Sequence, residues 1–569
     1  MKISVAKTAG FCMGVRRAVD MVLDAANKSD APIFTYGPLI HNPQVLEMLE
    51  SKQIHRLDSI PVKGEGIVLV RAHGVPPEDE RALADAGFTV INATCPRVVR
   101  VQVIIKKFAQ KGYATIIIGD KKHPEVVGLL GYARGNGHTV TTMAQLAALP
   151  RFENAVVVAQ TTQNTKFYED IKAWCRKHAP HYELYDTICG STEKRQNEIR
   201  QLAQINDAVI VVGGKESGNT RRLAQVAQET GTPSTHIESV EELDYSSLAS
   251  AHSIAITAGA STPNWIIKDT CQKVEHALRD SRPVTGKVMD VLDVVMTTNL
   301  LLALGAACLT FGAARIQGGD SALVYALIAM FYVLSMQVVN NVMTIKADTY
   351  NKPHRARFYK AHKPWLVGLA VGASLSGLYL AGTLGALYLL GILSMTLLGF
   401  LYDIDIIPKF MGGSRFHRIK DVPGSKTVLI AAAWGVVTSL IPAFADGTDV
   451  LLALIAFLFA TGLVFSRAAF ADILAVQGDR IAGKETLPIL LGETKTLKVI
   501  RYTLIFTAVM PVVAAISVSR FSVAWMALVP GTMLLLIKAY QDDRFLSSSR
   551  YEILFESLFI LAGVIALMI

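Results

Sequence analysis

The sequence predicts two architectures in one chain: an α/β first half built from three similar strand–turn–helix units, and an all-α polytopic membrane second half of about nine helices. Three observations carry this. First, averages of 51% hydrophobic and 18% charged residues hide a split. Residues 1–290 hold 34 Lys+Arg and 31 Asp+Glu, whereas residues 291–569 hold 22 and 16, scattered among long apolar runs. Second, the first half repeats one cysteine setting three times. Third, the basic residues of the second half gather in alternate loops. At 569 residues the chain exceeds one ordinary domain. The composition excludes a small disulfide-stapled secreted domain, a disordered chain and a fibrous repeat. The opening Met-Lys-Ile-Ser-Val-Ala-Lys reads as a strand and not as a secretory leader. Six cysteines without a dense pairing pattern predict reduced thiols in the cytoplasm.

In the first half, short apolar runs end in glycine or polar turns and are followed by helical patterns. Ile67–Val70, 115–118, 156–159, 208–212 and 254–257 are such runs. Strands alternating with helices predict mostly parallel sheets. Cys12, Cys95 and Cys189 each stand between a predicted strand and a predicted helix, at separations of 83 and 94 residues. One unit used three times can bring three thiolates to a common centre. Soft thiolates suit an iron–sulfur cluster, whose fourth iron would stay open for substrate, or a catalytic zinc. Isolated buried cysteines are the plain alternative on spacing alone. Cys175 and Cys271 lie within helical stretches and read as structural.

Other strand ends carry polar groups: His41-Asn42, His73-Gly74, His123-Pro124-Glu125, Gln160-Thr161-Thr162, Ser217-Gly218-Asn219 and Ser261-Thr262-Pro263. Ligands of α/β sheets bind at the carboxyl ends of strands. Hydroxyls, amides and helix N-termini make an anion site there, and imidazoles add charge-assisted hydrogen bonds. The residues therefore describe a soft-metal centre beside a small anionic substrate.

The fragments A-G-F-C-M-G-V, R-A-H-G-V, A-T-C-P, H-P-E-V, Q-T-T, S-G-N and T-A-G-A-S-T-P resemble, in order over about residues 1–281, the LytB-type 4-hydroxy-3-methylbut-2-enyl diphosphate reductases. The resemblance implies reductive removal of an allylic hydroxyl, giving isopentenyl and dimethylallyl diphosphate, the last step of the methylerythritol phosphate route. It implies a [4Fe–4S] cluster on Cys12, Cys95 and Cys189, and a ferredoxin- or flavodoxin-type electron donor. It implies Glu125 as proton-delivering acid, Thr161 as proton relay and His123 beside them. His41, His73, His123, Ser217, Asn219 and Ser261 would hold the diphosphate. One departure is Gly218, where the family often has a second Ser or a Cys.

Residues 282–292, starting Arg282-Pro283-Val284-Thr285-Gly286, read as a linker between a domain at 1–281 and one at 293–569. Nine apolar segments follow, near 294–313, 321–343, 365–382, 384–401, 427–445, 450–466, 499–519, 522–537 and 552–569. The loops after the second, fourth, sixth and eighth hold 20 of the 22 Lys+Arg. The positive-inside rule puts those loops in the cytoplasm, with the N-terminal domain on the same face of the cell inner membrane. The pI near 9.1 then reflects topology, so no nucleic-acid partner is expected.

Two of these loops carry Asn341, Thr344 and Asp348, and Asp472, Ala475 and Asp479. Carboxylates and amides at helix ends can bind Mg²⁺ and through it a diphosphate. The pattern D-x-x-x-x-x-G-D-R-x-x-G-x-x-T-L-P resembles the UbiA-type intramembrane prenyltransferases over about residues 291–569. That implies Mg²⁺-assisted prenyl transfer from a polyprenyl diphosphate to an acceptor in the lipid. Three of the family's six carboxylates are replaced, by Asn341, Thr344 and Ala475. Asn341, Asp348, Asp472 and Asp479 remain as candidate Mg²⁺ ligands, and a membrane anchor without catalysis is the alternative.

Overall fold

A computed structural model describes residues 2–248, 251–279, 291–319, 323–401, 424–542 and 548–569. Most of the predicted linker, 282–290, lies outside the described residues, as does the basic loop after the fourth predicted span. The chain divides into two compact units, Met1–Arg282 and Pro283–Ile569.

The N-terminal unit contains three four-stranded sheets, and every pairing in them is parallel. The strands are β1 (Lys2–Val5), β2 (Ile33–Tyr36), β3 (Ile54–Leu57), β4 (Ile67–Val70), β5 (Thr89–Asn92), β6 (Ala114–Ile118), β7 (Gly137–Val140), β8 (Ala155–Ala159), β9 (Glu183–Leu184), β10 (Ala208–Val212), β11 (Ser234–Ile237) and β12 (Ser253–Ala258). The sheet orders are β3-β2-β4-β5, β7-β6-β8-β9 and β11-β10-β12-β1. These are one topology three times, with the first strand of the chain completing the third sheet. Strands β6, β8 and β10 are buried at every residue, as parallel strands covered on both faces must be.

The helices that cover them are α1 (Met13–Lys28), α2 (Pro43–Glu50), α3 (Pro77–Asp85), α4 (Pro96–Ala109), α5 (Pro124–Leu130), α6 (Met143–Ala147), α7 (Thr165–His178), α8 (Gly190–Ile205), α9 (Gly218–Glu229) and α10 (Asn264–Arg279). In each sheet the fourth strand is an edge (β5, β9 or β1), and the chain leaves it through a turn into α4, α8 or α1.

The C-terminal unit is helical. Among the described residues seven helices are long and apolar enough to cross a membrane, from Leu323–Met343 to Arg550–Met568. Three predicted spans differ in form. The first is the pair Val291–Thr297 and Leu300–Ile316, bent by 69°. Thr298 folds its hydroxyl back onto the Val294 carbonyl at 2.7 Å, and Asn299 takes a left-handed φ of 62°, which ends the first helix. The fourth is the shorter helix Ala386–Phe400. The sixth, expected at 450–466, continues as one helix, Val450–Ile481, so Asp472 and Asp479 sit on a helix and not in a loop.

Strand β9 has only two residues, and Thr187 extends its hold on β8. The Thr187 hydroxyl accepts from the Ala159 N–H and donates to the Ala159 carbonyl, both at 2.7 Å. Thr187→Val keeps the shape and leaves two buried backbone groups unpaired, at about 1–3 kcal/mol each. The full chain in detergent should then lose protease resistance in residues 1–282 at a lower temperature; an unchanged midpoint would refute this role.

Candidate active site and the membrane-unit polar centre

The three predicted cysteines begin three helices. Cys12 caps α1, Cys95 caps α4 and Cys189 caps α8. Cys12 Sγ accepts from the Val15 N–H at 3.5 Å. Helix N-termini favour thiolates through their free N–H groups and dipole. A Cβ on Gly14 would overlap the Cys95 side chain, so α1 and Cys95 touch directly. Burial pushes the Cys95 thiol up, and Cys12 and Cys189 are near enough to add to that. All six cysteines are free thiols. Three sulfurs near one another at helix starts suit a soft centre, and the donor set fits an iron–sulfur cluster.

Each cysteine is tied to the neighbouring loop through its own backbone. The N–H of Cys12 donates to Ala260 O at 3.1 Å, that of Cys95 to Ala72 O at 2.9 Å and that of Cys189 to Thr161 O at 2.9 Å. Ala260, Ala72 and Thr161 follow β12, β4 and β8. Ser261 and His73 come next in the chain after the first two.

The adjoining central strands β2, β6 and β10 lead to His41, to His123 and Glu125, and to Ser217, Gly218 and Asn219. The His41, His73 and His123 rings have centroids 4.8, 5.8 and 5.4 Å apart. Burial lowers all three imidazole pKa values, that of His123 to about 3. Arg71 acts on all three in the same direction, and Arg221 on His41 and His123. Those cations disfavour a metal ion among the imidazoles and favour an anion. Among the buried polar atoms of the described residues that have no partner are His41 Nε2, His73 Nδ1 and Asn219 Nδ2, all in this pocket. Such groups are rare unless a ligand completes them. Ser261 Oγ lies 3.2 Å from Ser217 Oγ and donates to His41 O at 3.0 Å. A cavity of about 600 Å³ opens onto His41, His123, Gly218, Lys122, Arg221 and Arg222. A Cβ on Gly218 would come within 3.2 Å of His123 Nε2, so the family's extra side chain here would crowd that ring.

Glu125 is 1% exposed. Its Oε1 accepts from the Thr161 N–H at 2.7 Å and its Oε2 from the Thr161 hydroxyl at 2.8 Å. Desolvation raises its pKa to about 7 against the pull of those bonds. The Glu125 N–H donates to His123 Nδ1 at 3.1 Å, which assigns the neutral ring's proton to Nε2. The structure thus brings together every residue predicted for the reductase site. Arg221 and Arg222 escaped the sequence reading, since single arginines carry no local signature, and Arg71 entered it only as the first residue of R-A-H-G-V, without a role.

In the C-terminal unit, Asn341 Nδ2 and Asn299 Nδ2 both donate to the Tyr359 hydroxyl at 3.2 Å. Asp348 pairs with Arg355 at 2.8 Å. Asp479 accepts from Asn351 at 2.9 Å and lies 3.6 Å from Lys484. Asp472 accepts from Thr427 at 2.8 Å. Lys484 feels all three carboxylates, while burial and Lys426 hold its pKa down. Gly478 allows this approach, because a Cβ there would strike the Asn351 side chain. The three carboxylates lie around Lys484 without meeting at one point, and their hard oxygen donors are of the kind that suits Mg²⁺. Asn299, Arg355 and Tyr359 were not foreseen.

Residues 3–275 match the family model described as LytB protein, and residues 282–559 match the UbiA prenyltransferase family. The 4-hydroxy-3-methylbut-2-enyl diphosphate reductase of Aquifex aeolicus is 38% identical over 277 residues, which is 48% of this chain and 96% of that protein. The solved E-1-hydroxy-2-methyl-but-2-enyl-4-diphosphate reductase of Plasmodium falciparum is 27% identical, over 50% of this chain and 89% of that one, with a TM-score of 0.47. A UbiA homolog from Aeropyrum pernix K1 is 15% identical, over 47% of this chain and 98% of that one, with a TM-score of 0.37. The UbiA match and the apolar helices make this an integral membrane protein. Through residues 3–275 the chain belongs to the LytB family of 4-hydroxy-3-methylbut-2-enyl diphosphate reductases, continued by a UbiA-type membrane domain.

Proposed function

We propose that the N-terminal unit converts 4-hydroxy-3-methylbut-2-enyl diphosphate, two electrons and two protons into water and a mixture of isopentenyl and dimethylallyl diphosphate. One chain of contacts carries the reading. The Cys189 N–H is bonded to Thr161 O, and the N–H and hydroxyl of Thr161 hold Glu125. A cysteine that would hold the cluster and the carboxyl that would deliver the proton are thereby fixed to one residue. A [4Fe–4S] cluster on Cys12, Cys95 and Cys189 supplies electrons and Lewis acidity when bound. His41, His73, Ser217, Asn219 and Ser261 bind the diphosphate, with Arg221 and Arg222 supplying charge. Glu125 enters neutral and donates its proton toward the leaving hydroxyl, and Thr161 relays it. His123 holds a phosphate oxygen through Nε2. The unit works on the cytoplasmic face of the inner membrane, with a small ferredoxin- or flavodoxin-type protein as electron donor.

For the C-terminal unit we infer binding of a polyprenyl diphosphate and prenyl transfer to a lipid-dissolved acceptor. Asp348, Asp472 and Asp479, with the Asn341 amide oxygen, would hold Mg²⁺. A second reading, an anchor without catalysis, draws on the Asp348–Arg355 pair and the residues Asn341, Thr344 and Ala475. Direct hand-over between units is not part of either reading, since a five-carbon product must be elongated before a polyprenyl transferase can use it.

Glu125→Gln should keep the wild-type iron and sulfide content and lower kcat by about 100- to 10,000-fold. Because Glu125 is pushed up to about 7 in the substrate-free protein, with the neutral form as donor, wild-type kcat/KM should fall as pH rises through about 7. Unchanged turnover in the variant removes Glu125 from the acid role. Membranes holding the full chain should transfer radiolabelled polyprenyl diphosphate with Mg²⁺ and lose this on chelation or in Asp472→Ala. Absence of transfer across lipid and aromatic acceptors, alike in both proteins, selects the anchor.

A further inference from the structure

One buried cation of the N-terminal unit takes no part in the diphosphate pocket. Arg195 lies in α8, six residues after Cys189, and is 4% exposed. Its Nη2 donates to Gly10 O at 2.7 Å and its Nη1 to Ala258 O at 3.0 Å. Ala258 ends β12, and Gly10 stands two residues before Cys12. A side chain on the helix of one cysteine is thus fastened to the loop that carries another. Its remaining donor, Nε, is buried without a partner.

Two carbonyls do not neutralise a guanidinium, and burying an uncompensated charge costs several kcal/mol. The groups whose negative charge acts on Arg195 are Cys12, Glu198 and Cys189. Glu198 is already engaged, accepting from the Lys7 N–H at 2.6 Å, the Thr8 N–H at 2.9 Å and the Thr8 hydroxyl at 2.5 Å. Glu198 keeps its charge but is held against Lys7 and Thr8, and the guanidinium Nε has no partner, so the sulfurs of Cys12 and Cys189, which also act on Arg195, are the further negative charge within its reach.

On the reading of Cys12, Cys95 and Cys189 as cluster ligands, on which this rests, we propose that Arg195 is a positioning residue that raises the reduction potential of the cluster. Thiolates and sulfides make such a centre negative, and each added electron makes it more so. A fixed cation stabilises the reduced form more than the oxidised form. Burial shields the interaction from salt, and the bonds to Gly10 and Ala258 stop the guanidinium from turning away.

The test is a mediated redox titration of the anaerobically reconstituted full chain in detergent, followed by electron paramagnetic resonance. Wild type must first show a [4Fe–4S] signal; its absence overturns the cluster reading and this proposal with it. With that signal present, Arg195→Gln should hold as much iron and sulfide as wild type but titrate at a more negative potential. Arg195→Lys, which keeps the charge, should fall between them. An unchanged potential in Arg195→Gln, or equal shifts in both variants, overturns the proposal, because charge would then not be the cause. If Arg195→Gln loads no cluster while Arg195→Lys does, the potential is read from Arg195→Lys, where a value more negative than wild type supports the proposal and an equal or higher one overturns it. Failure of both to load, at an unchanged melting midpoint, reduces Arg195 to a shape role and overturns it.

Discussion

The N-terminal unit depends on three backbone hydrogen bonds, those from Cys12, Cys95 and Cys189 to Ala260, Ala72 and Thr161. Each joins the turn after an edge strand to the loop after the adjacent central strand. All strands run parallel within their sheets, so these turns and loops leave from the carboxyl ends, where such folds place their ligands. Cys12, Cys95 and Cys189 and the polar side chains that follow β4, β8 and β12 are thereby set in register by main chain, which rotamer changes cannot loosen. On the proposed function, a site that holds both a soft centre and a diphosphate gains precision from that.

How much of this the sequence could show follows from range. Strand–turn–helix units are local patterns, so the cysteine turns at 12, 95 and 189 and the polar strand ends were readable. The pairing of β1 with β12 was not, since it joins residues 2–5 to 253–256 and has no local trace. Arg195 and Arg221 were equally hidden, because an arginine inside a helix looks the same whether it faces water or a core. In the membrane unit the apolar run that begins at Val450 is interrupted by Arg467 and Asp472, which suggested a helix end. The helix continues to Ile481 because those charges meet partners inside the bundle: Arg467 pairs with Glu556 and Asp472 accepts from Thr427.

The same pairing bears on what the membrane unit can hold. Asp348, Asp472 and Asp479 are each engaged, by Arg355, Thr427, and Asn351 with Lys484. Replacement of three carboxylates by Asn341, Thr344 and Ala475 lowers the repulsion that a water-poor centre would otherwise carry without a metal. A centre built this way needs fewer cations to be stable when empty, and its own Lys484 and Arg355 already supply two.

In the reductase pocket one cause, desolvation, acts with opposite sign on two kinds of group. It lowers the imidazoles, His123 to about 3, and raises Glu125 to about 7. Both shifts favour the neutral form, so the empty pocket avoids three imidazolium charges with ring centroids within 5.8 Å of one another. A neutral carboxyl beside neutral imidazoles should pass them its proton only if one can accept it. His123, the nearest along the chain, cannot do so readily, because its Nδ1 lone pair is committed to the Glu125 N–H at 3.1 Å. The proton therefore stays on Glu125, shared with Thr161, until an acceptor of another kind enters the pocket. On the proposed function the leaving hydroxyl of an allylic diphosphate would be such an acceptor, and its anionic tail, drawn by Arg221 and Arg71, would raise the carboxyl further and strengthen that hold until the reaction takes the proton.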